Sequence, residues 1–140
     1  MDISREQLFT KLAVKAFWLI DHGRAAEVSN LFARDAVLAF GEYAPFAGET
    51  KGIEAITAFF NTRQANTAMT TRHSLANLMV LSDSESEVSV TYLMTAHRGT
   101  TPGGKPDVSF VADVSDTYVR QGDRWLIGHR LVDPIFAMEG

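Results

Sequence analysis

The 140-residue sequence contains no cysteine. Disulfides, thiolate nucleophiles and cysteine-type zinc sites are therefore excluded. A cysteine-free chain also suits a reducing compartment, and the cytoplasm is the expected location. No apolar run approaches the roughly 18 residues of a membrane span, so no membrane partner is expected. The N-terminal stretch spreads Asp2, Arg5, Glu6, Lys11 and Lys15 among its apolar residues, which is not the pattern of a signal peptide. Basic clusters are missing and the formal net charge is −4, which argues against nucleic acid as a partner. A glycine-rich phosphate loop and a nucleophile elbow are also missing. What is present is 46% apolar and 10% aromatic residues. That composition and length predict one domain over residues 1–140 that buries a core without covalent staples.

Ser4 and Gln7 read as a capping box. Beyond them Leu8, Phe9, Leu12, Ala13, Ala16, Phe17, Leu19 and Ile20 recur at helical spacing, with Gly23 as the stop. A shorter helix follows, with Val28, Leu31 and Phe32 on one face. Ala36 to Phe40 reads as a short strand, and Gly41, Pro45 and Gly48 break the next stretch. A third helix is expected from about Gly52 to Gln64, burying Ile53, Ile56, Phe59 and Phe60. After Asn66 the period changes to that of strands: Thr71–Leu81, Glu87–Arg98, Asp107–Arg120 and Arg124–Ile135. Their connections are short, which implies antiparallel pairing. Helices followed by strands define an α+β fold. Long strands twist and curl, so the expected form is a curved antiparallel sheet packed on three N-terminal helices, a cone with an open mouth.

The second long strand alternates Val88, Val90, Tyr92, Met94 and Ala96 on one face with Thr91, Leu93, Thr95 and His97 on the other. Either face can be the concave one, and the leftover surface is a candidate interface for a homodimer.

A few polar residues stand out. Asp21 lies in the last turn of the first helix, where the macrodipole disfavours a carboxylate, at the border of the apolar stripe near Val14 and Phe17. His73 opens a strand face that continues through Leu75, Asn77, Met79 and Leu81. His97 closes the next strand. Asp116 and Arg130 flank the Gln121-Gly122-Asp123 turn and come opposite or diagonal on neighbouring strands. They read as a cross-strand ion pair, with a pocket-lining arginine that orients an anionic or carbonyl oxygen as the sharper alternative. His129 is expected on the face opposite Arg130, and His22 in solvent. The spacing of Asp21, His73 and His97 resembles no metal motif.

These pieces resemble the SnoaL-like family of the nuclear transport factor 2-like superfamily of cone-shaped domains. The residues that carry the likeness are Asp21-His22-Gly23-Arg24 leading into Leu31-Phe32-Ala33-Arg34-Asp35-Ala36-Val37, then Gly52-Ile53-Glu54-Ala55-Ile56, Thr71-Arg72-His73, and Arg124-Trp125-Leu126-Ile127-Gly128-His129-Arg130. Within the family the chemical likeness is to scytalone dehydratase and the related dehydrochlorinase. This resemblance implies a cofactor-free lyase or isomerase in which Asp21 pairs with His73 as a general base. It implies His97 as a second catalytic histidine and Arg130 as a substrate-side arginine. Phe17, Tyr43, Tyr92 and Asp116 complete the expected substrate-binding set for a small apolar carbonyl or aromatic compound. Ile20 stands where the dehydratase has a tyrosine, and Val114 near the place of its polar amide. The same superfamily implies two alternatives: a non-catalytic binding or assembly domain like a dioxygenase small subunit, and a polyketide cyclase with Asp113 or Asp116 as base.

Overall fold

The computed structural model describes residues 4–100 and 103–136. Asp2 of the N-terminal segment and Thr101 and Pro102 of the Gly99–Pro106 loop lie outside them. The first element is α1, Arg5–Asp21. Ser4 caps it: its hydroxyl accepts from the Gln7 backbone N–H, while the Gln7 side chain accepts from Ser4 N–H. At the other end Gly23 takes φ +76°, the left-handed conformation that terminates helices, and Arg24 N–H closes on Leu19 O.

The expected shorter second helix is present as a 3₁₀ helix, Ala25–Leu31, and Phe32 belongs to the following strand. That strand, β1 (Phe32–Phe40), starts four residues earlier than its sequence pattern suggests. It pairs with β2 (Gly48–Lys51), which the sequence reading missed. Helix α2 spans Ile53–Ala65 and buries Ile56 and Phe60. The four long strands follow: β3 Thr70–Asp83, β4 Glu87–Gly99, β5 Val108–Gln121 and β6 Arg124–Pro134. Their three hairpin pairings are antiparallel, as short connections require. The sheet order is β2-β1-β6-β5-β4-β3, and β1 runs parallel to β6. The sheet is therefore mixed rather than wholly antiparallel, because the chain crosses from β1 to β6 through everything between them.

The helices cover one face of this sheet. Val88, Val90, Tyr92, Met94 and Ala96 of β4 are all buried, which identifies theirs as the inward face. Two bulges set which side chains join them. On β3, Asn77 adopts φ +60° and two residues, Asn77 and Leu78, fit against a single rung of β4. The alternation inverts there. His73 and Leu75 face inward before it, Leu78 and Val80 after it, and Met79 and Leu81 are exposed, contrary to the continuous face expected from spacing. On β6 the register shifts at Gly128, so that Ile127 and Arg130 both point inward. A Cβ on Gly128 would meet Val119 Cγ1 at 3.1 Å, so the kinked backbone packs close there. Among the described residues no helix is long and apolar enough to cross a membrane.

Candidate active site

The last turn of α1 packs on the start of β3, and this contact brings Asp21 to His73. Asp21 Oδ1 lies 2.6 Å from His73 Nδ1, and Oδ2 accepts the His73 backbone N–H at 2.7 Å. The Thr71 hydroxyl donates to Oδ1 at 2.8 Å. Three donors thus offset the unfavourable position of a carboxylate at a helix C-terminus. The side chains are nearly enclosed, 4% exposed for Asp21 and 11% for His73. A carboxylate only accepts, so the Asp21 contact fixes the proton on Nδ1 of a neutral imidazole and leaves the Nε2 lone pair free. Nε2 has no hydrogen-bond partner among the described residues, and His73 lines a cavity of about 590 Å³.

That cavity is apolar over most of its wall. Phe17 and Ile20 come from α1, Phe59 and Phe60 from α2, Leu38 and Phe40 from β1, and Met94 and Ala96 from β4. Phe17 backs the histidine, its ring centroid 4.9 Å from the imidazole, and the Arg130 guanidinium carbon lies 4.9 Å from the same ring. Arg130 is buried and held by Asp116 in a bidentate pair, with Nε to Oδ1 and the second nitrogen to Oδ2 both 2.8 Å. Tyr92 and Tyr118 each donate a hydroxyl to Asp116 Oδ2, at 2.8 and 2.9 Å. Burial pushes both phenols well above the ordinary tyrosine range, and the Asp116 charge pushes the same way. Burial works against the charge on Arg130, but Asp116 outweighs it and holds the guanidinium pKa well above its usual value.

The structure therefore brings together Asp21, His73, Phe17 and Arg130. Asp116 stands behind Arg130 as its counter-ion, and the two are direct cross-strand partners. Three expected site residues fall elsewhere. No bulge separates His73 from the β4 pairing, so His73 sits opposite Ala96, and His97 sits opposite Arg72 on the outward face. His97 touches the cavity rim, but its residue is exposed and its Nδ1 meets the Ser109 hydroxyl at 2.8 Å. It is not brought to the dyad. Tyr43 is 47% exposed in the β1–β2 connection and does not line the cavity. Tyr92 faces inward, but its hydroxyl is committed to Asp116 rather than to the cavity. Asp113 is exposed, and Asp116 is buried in an ion pair with Arg130 and accepts four hydrogen bonds, so neither is a free base. His129 is exposed, opposite in facing to Arg130, and His22 stacks on Trp18 at the surface. Among the described residues no group of three or more His, Cys, Asp or Glu is placed to hold a metal ion.

Among the charged side chains of the cavity wall, two escaped the sequence reading, Arg63 and Arg98. Spacing contained the signal for both. Arg63 follows Phe59 and Phe60 by four and three residues on α2, and Arg98 continues the inward alternation of Met94 and Ala96.

Comparison with known proteins agrees with this architecture. Residues 7–131 match the SnoaL-like domain family, and the chain belongs to it. Among solved structures, a scytalone dehydratase candidate from Novosphingobium aromaticivorans superposes with a TM-score of 0.76 at 19% identity, over 91% of this chain and 82% of that one. An aromatic ring hydroxylase candidate from the same organism gives 0.81 at 18% identity, over 100% and 96%. A nuclear transport factor 2-like protein with a cystatin-like fold, also from that organism, gives 0.72 at 22% identity, over 91% and 79%. Likeness at these identities speaks for the fold alone. The chain has the cystatin-like, nuclear transport factor 2-like α+β fold. No curated protein matches the sequence.

Proposed function

We propose that this protein is a cofactor-free lyase or isomerase of the dehydratase kind, in which His73 is the base and Asp21 positions it. The observation that carries this reading is the 2.6 Å Asp21–His73 contact beside an apolar cavity. His73 Nε2 takes a proton from the carbon α to a carbonyl, and the C–H electron pair becomes an enolate. Asp21 stabilises the imidazolium that forms. In an isomerisation the proton returns at another carbon. In a dehydration the enolate expels a β-hydroxyl group, which leaves as water on taking the proton from the same imidazolium. Because His97 points outward, one histidine serves both steps, and the proton is removed and returned on the same face. The apolar wall favours a flat aromatic or polyketide-like carbonyl compound. We further propose that the chain acts in the cytoplasm as a homodimer, for which light scattering at micromolar concentration is the check; a monomer there rejects the dimer.

The test uses α-proton exchange, which requires no knowledge of the natural substrate. α-Tetralone, a bicyclic aromatic ketone, is incubated in D₂O with the protein and followed by proton NMR. The wild type is expected to accelerate exchange, and His73→Ala to lower that acceleration by about 10²–10⁴-fold with the fold intact. Equal rates in the two proteins would sink the proposal. The runner-up, a non-catalytic binding domain, would gain from that result, since tight binding without exchange is its signature.

A further inference from the structure

The cavity wall carries positive charge without a matching negative one. Arg63, Arg98 and Arg130 line it, whereas no Asp or Glu does so among the described residues. Arg130 is neutralised from behind by Asp116. Arg63 and Arg98 form no salt bridge among the described residues.

Their positions converge. Thr71 of β3 and Arg98 of β4 are direct cross-strand partners, one alternation step beyond the His73–Ala96 pair and on the same inward face. Arg63 reaches the same place from α2, where it donates to the Thr71 hydroxyl at 3.2 Å. Its other contacts, to the carbonyls of Asn66 and Met69, are both 3.5 Å, long for a guanidinium hydrogen bond. Burial lowers the Arg63 pKa and the Arg98 charge lowers it further, with Asp21 acting against both. Two cations thus approach each other beside an apolar wall, an arrangement whose repulsion an anion relieves. A guanidinium fork matches the two oxygens of a carboxylate.

We propose that the cavity takes an amphipathic carboxylate: Arg63 and Arg98 receive its acid group at the Thr71 end, and its flat apolar body lies along the aromatic wall past His73. His73 lies two steps along the strand from Thr71, a rise of roughly 6.5 Å. The carboxylate is accordingly borne on an arm or second ring, apart from the carbon that His73 addresses. The proposal names the substrate class for the site described above; it rests on that cavity being the binding site, and its test does not depend on His73 acting as a base.

The probes are 2-naphthoate, its neutral isostere 2-naphthamide, and 2-naphthyl phosphate, with binding followed by fluorescence at low and high salt. The wild type is expected to bind 2-naphthoate at least about tenfold more tightly than the amide, with the preference shrinking as salt rises. The double variant Arg63→Gln/Arg98→Gln loses the preference while amide affinity stays within about twofold. Arg98→Gln alone loses part of it, and serves if Arg63→Gln disturbs the Asn66–Met69 turn. His73→Ala keeps the preference, so failure of the base chemistry and failure of the anion site read out separately. Equal affinity for acid and amide, no saturable binding of either at millimolar concentration, or an undiminished preference in the arginine variants overturns the proposal. Tighter binding of the phosphate than of the carboxylate overturns the choice of carboxylate.

Discussion

Asp116 and Asp21 are both enclosed carboxylates beside a basic side chain, and both keep company with Phe17 through that partner. Asp116 accepts four hydrogen bonds, from two nitrogens of Arg130 and from two tyrosines, and every donor is itself buried. Its partner holds a charge that it does not surrender at any ordinary pH. Asp21 accepts three, and its partner is a cavity-lining imidazole whose second nitrogen has no hydrogen-bond partner among the described residues. The first arrangement satisfies everything and fixes the sheet to itself. The second leaves one atom unused, on a group that can gain and lose a proton. A buried ion pair becomes chemistry only when something of that kind is left over.

The largest effect that can break this contrast is on stability. Asp116→Ala leaves Arg130 buried without a counter-charge and is expected to cost about 3–5 kcal/mol in urea unfolding. A loss below about 1 kcal/mol, on the scale of an ordinary surface change, would remove the structural role from the pair. Tyr92→Phe and Tyr118→Phe each delete one hydrogen bond to a charged group, for about 1.5–3 kcal/mol apiece. Both donate to the same oxygen, so the double variant is expected to cost less than the sum.

The same tyrosines give the centre a pH signature of slightly smaller size. Their folded pKa values lie above the unfolded value of about 10, chiefly through burial. Stability is then unaffected below about pH 10 and falls as pH rises beyond it, by up to about 1.4 kcal/mol per pH unit for each tyrosine. Thermal melts across that range, read beside tyrosinate absorbance, are expected to show the Tyr92 and Tyr118 signals appearing only with unfolding. Ionisation of both in the folded state would show that the centre is wetter than its geometry implies.

The two aspartates were not equally legible in the sequence. Asp116 and Arg130 could be placed as neighbours, opposite or diagonal, by counting back from the Gln121–Asp123 turn; unbroken register would set Asp116 against His129, and the shift at Gly128 makes Arg130 its direct partner. Asp21 was conspicuous only as a carboxylate misplaced on its helix, and its partner came from the family resemblance rather than from any spacing. The capping box, the helix stop at Gly23 and the long strands were readable because caps and alternation are local. What failed was whatever depends on one residue of extra backbone. The Asn77 bulge turned Met79 and Leu81 outward, and no one-dimensional pattern announces it. Strand β2 is four residues of Gly-Glu-Thr-Lys, mostly exposed, with no hydrophobic alternation to betray it. Tyr92 was expected in the binding set while the facing of its strand stayed open; that it turns inward and that its hydroxyl belongs to Asp116 are facts of the third dimension.

The smallest predicted effect tests the contrast most finely. Thr71→Val removes one donor from Asp21 with little change in volume, as Tyr118→Phe removes one from Asp116. In the dyad two N–H donors remain on Asp21, and Thr71, which supplies the third, lines the cavity. The expected loss is therefore only about 1 kcal/mol in urea unfolding, below that of Tyr118→Phe in the sealed centre. Thr71 is also the hydroxyl between Asp21 and Arg63, so the change frees one Arg63 donor while leaving the His73 tautomer in place. Exchange activity in Thr71→Val is accordingly expected to stay within about tenfold of wild type, well short of the loss expected on removing His73 itself. If Thr71→Val were instead as destabilising as Tyr118→Phe, the dyad would be as sealed as the Asp116 centre, and the free nitrogen of His73 would lose its claim to a special role.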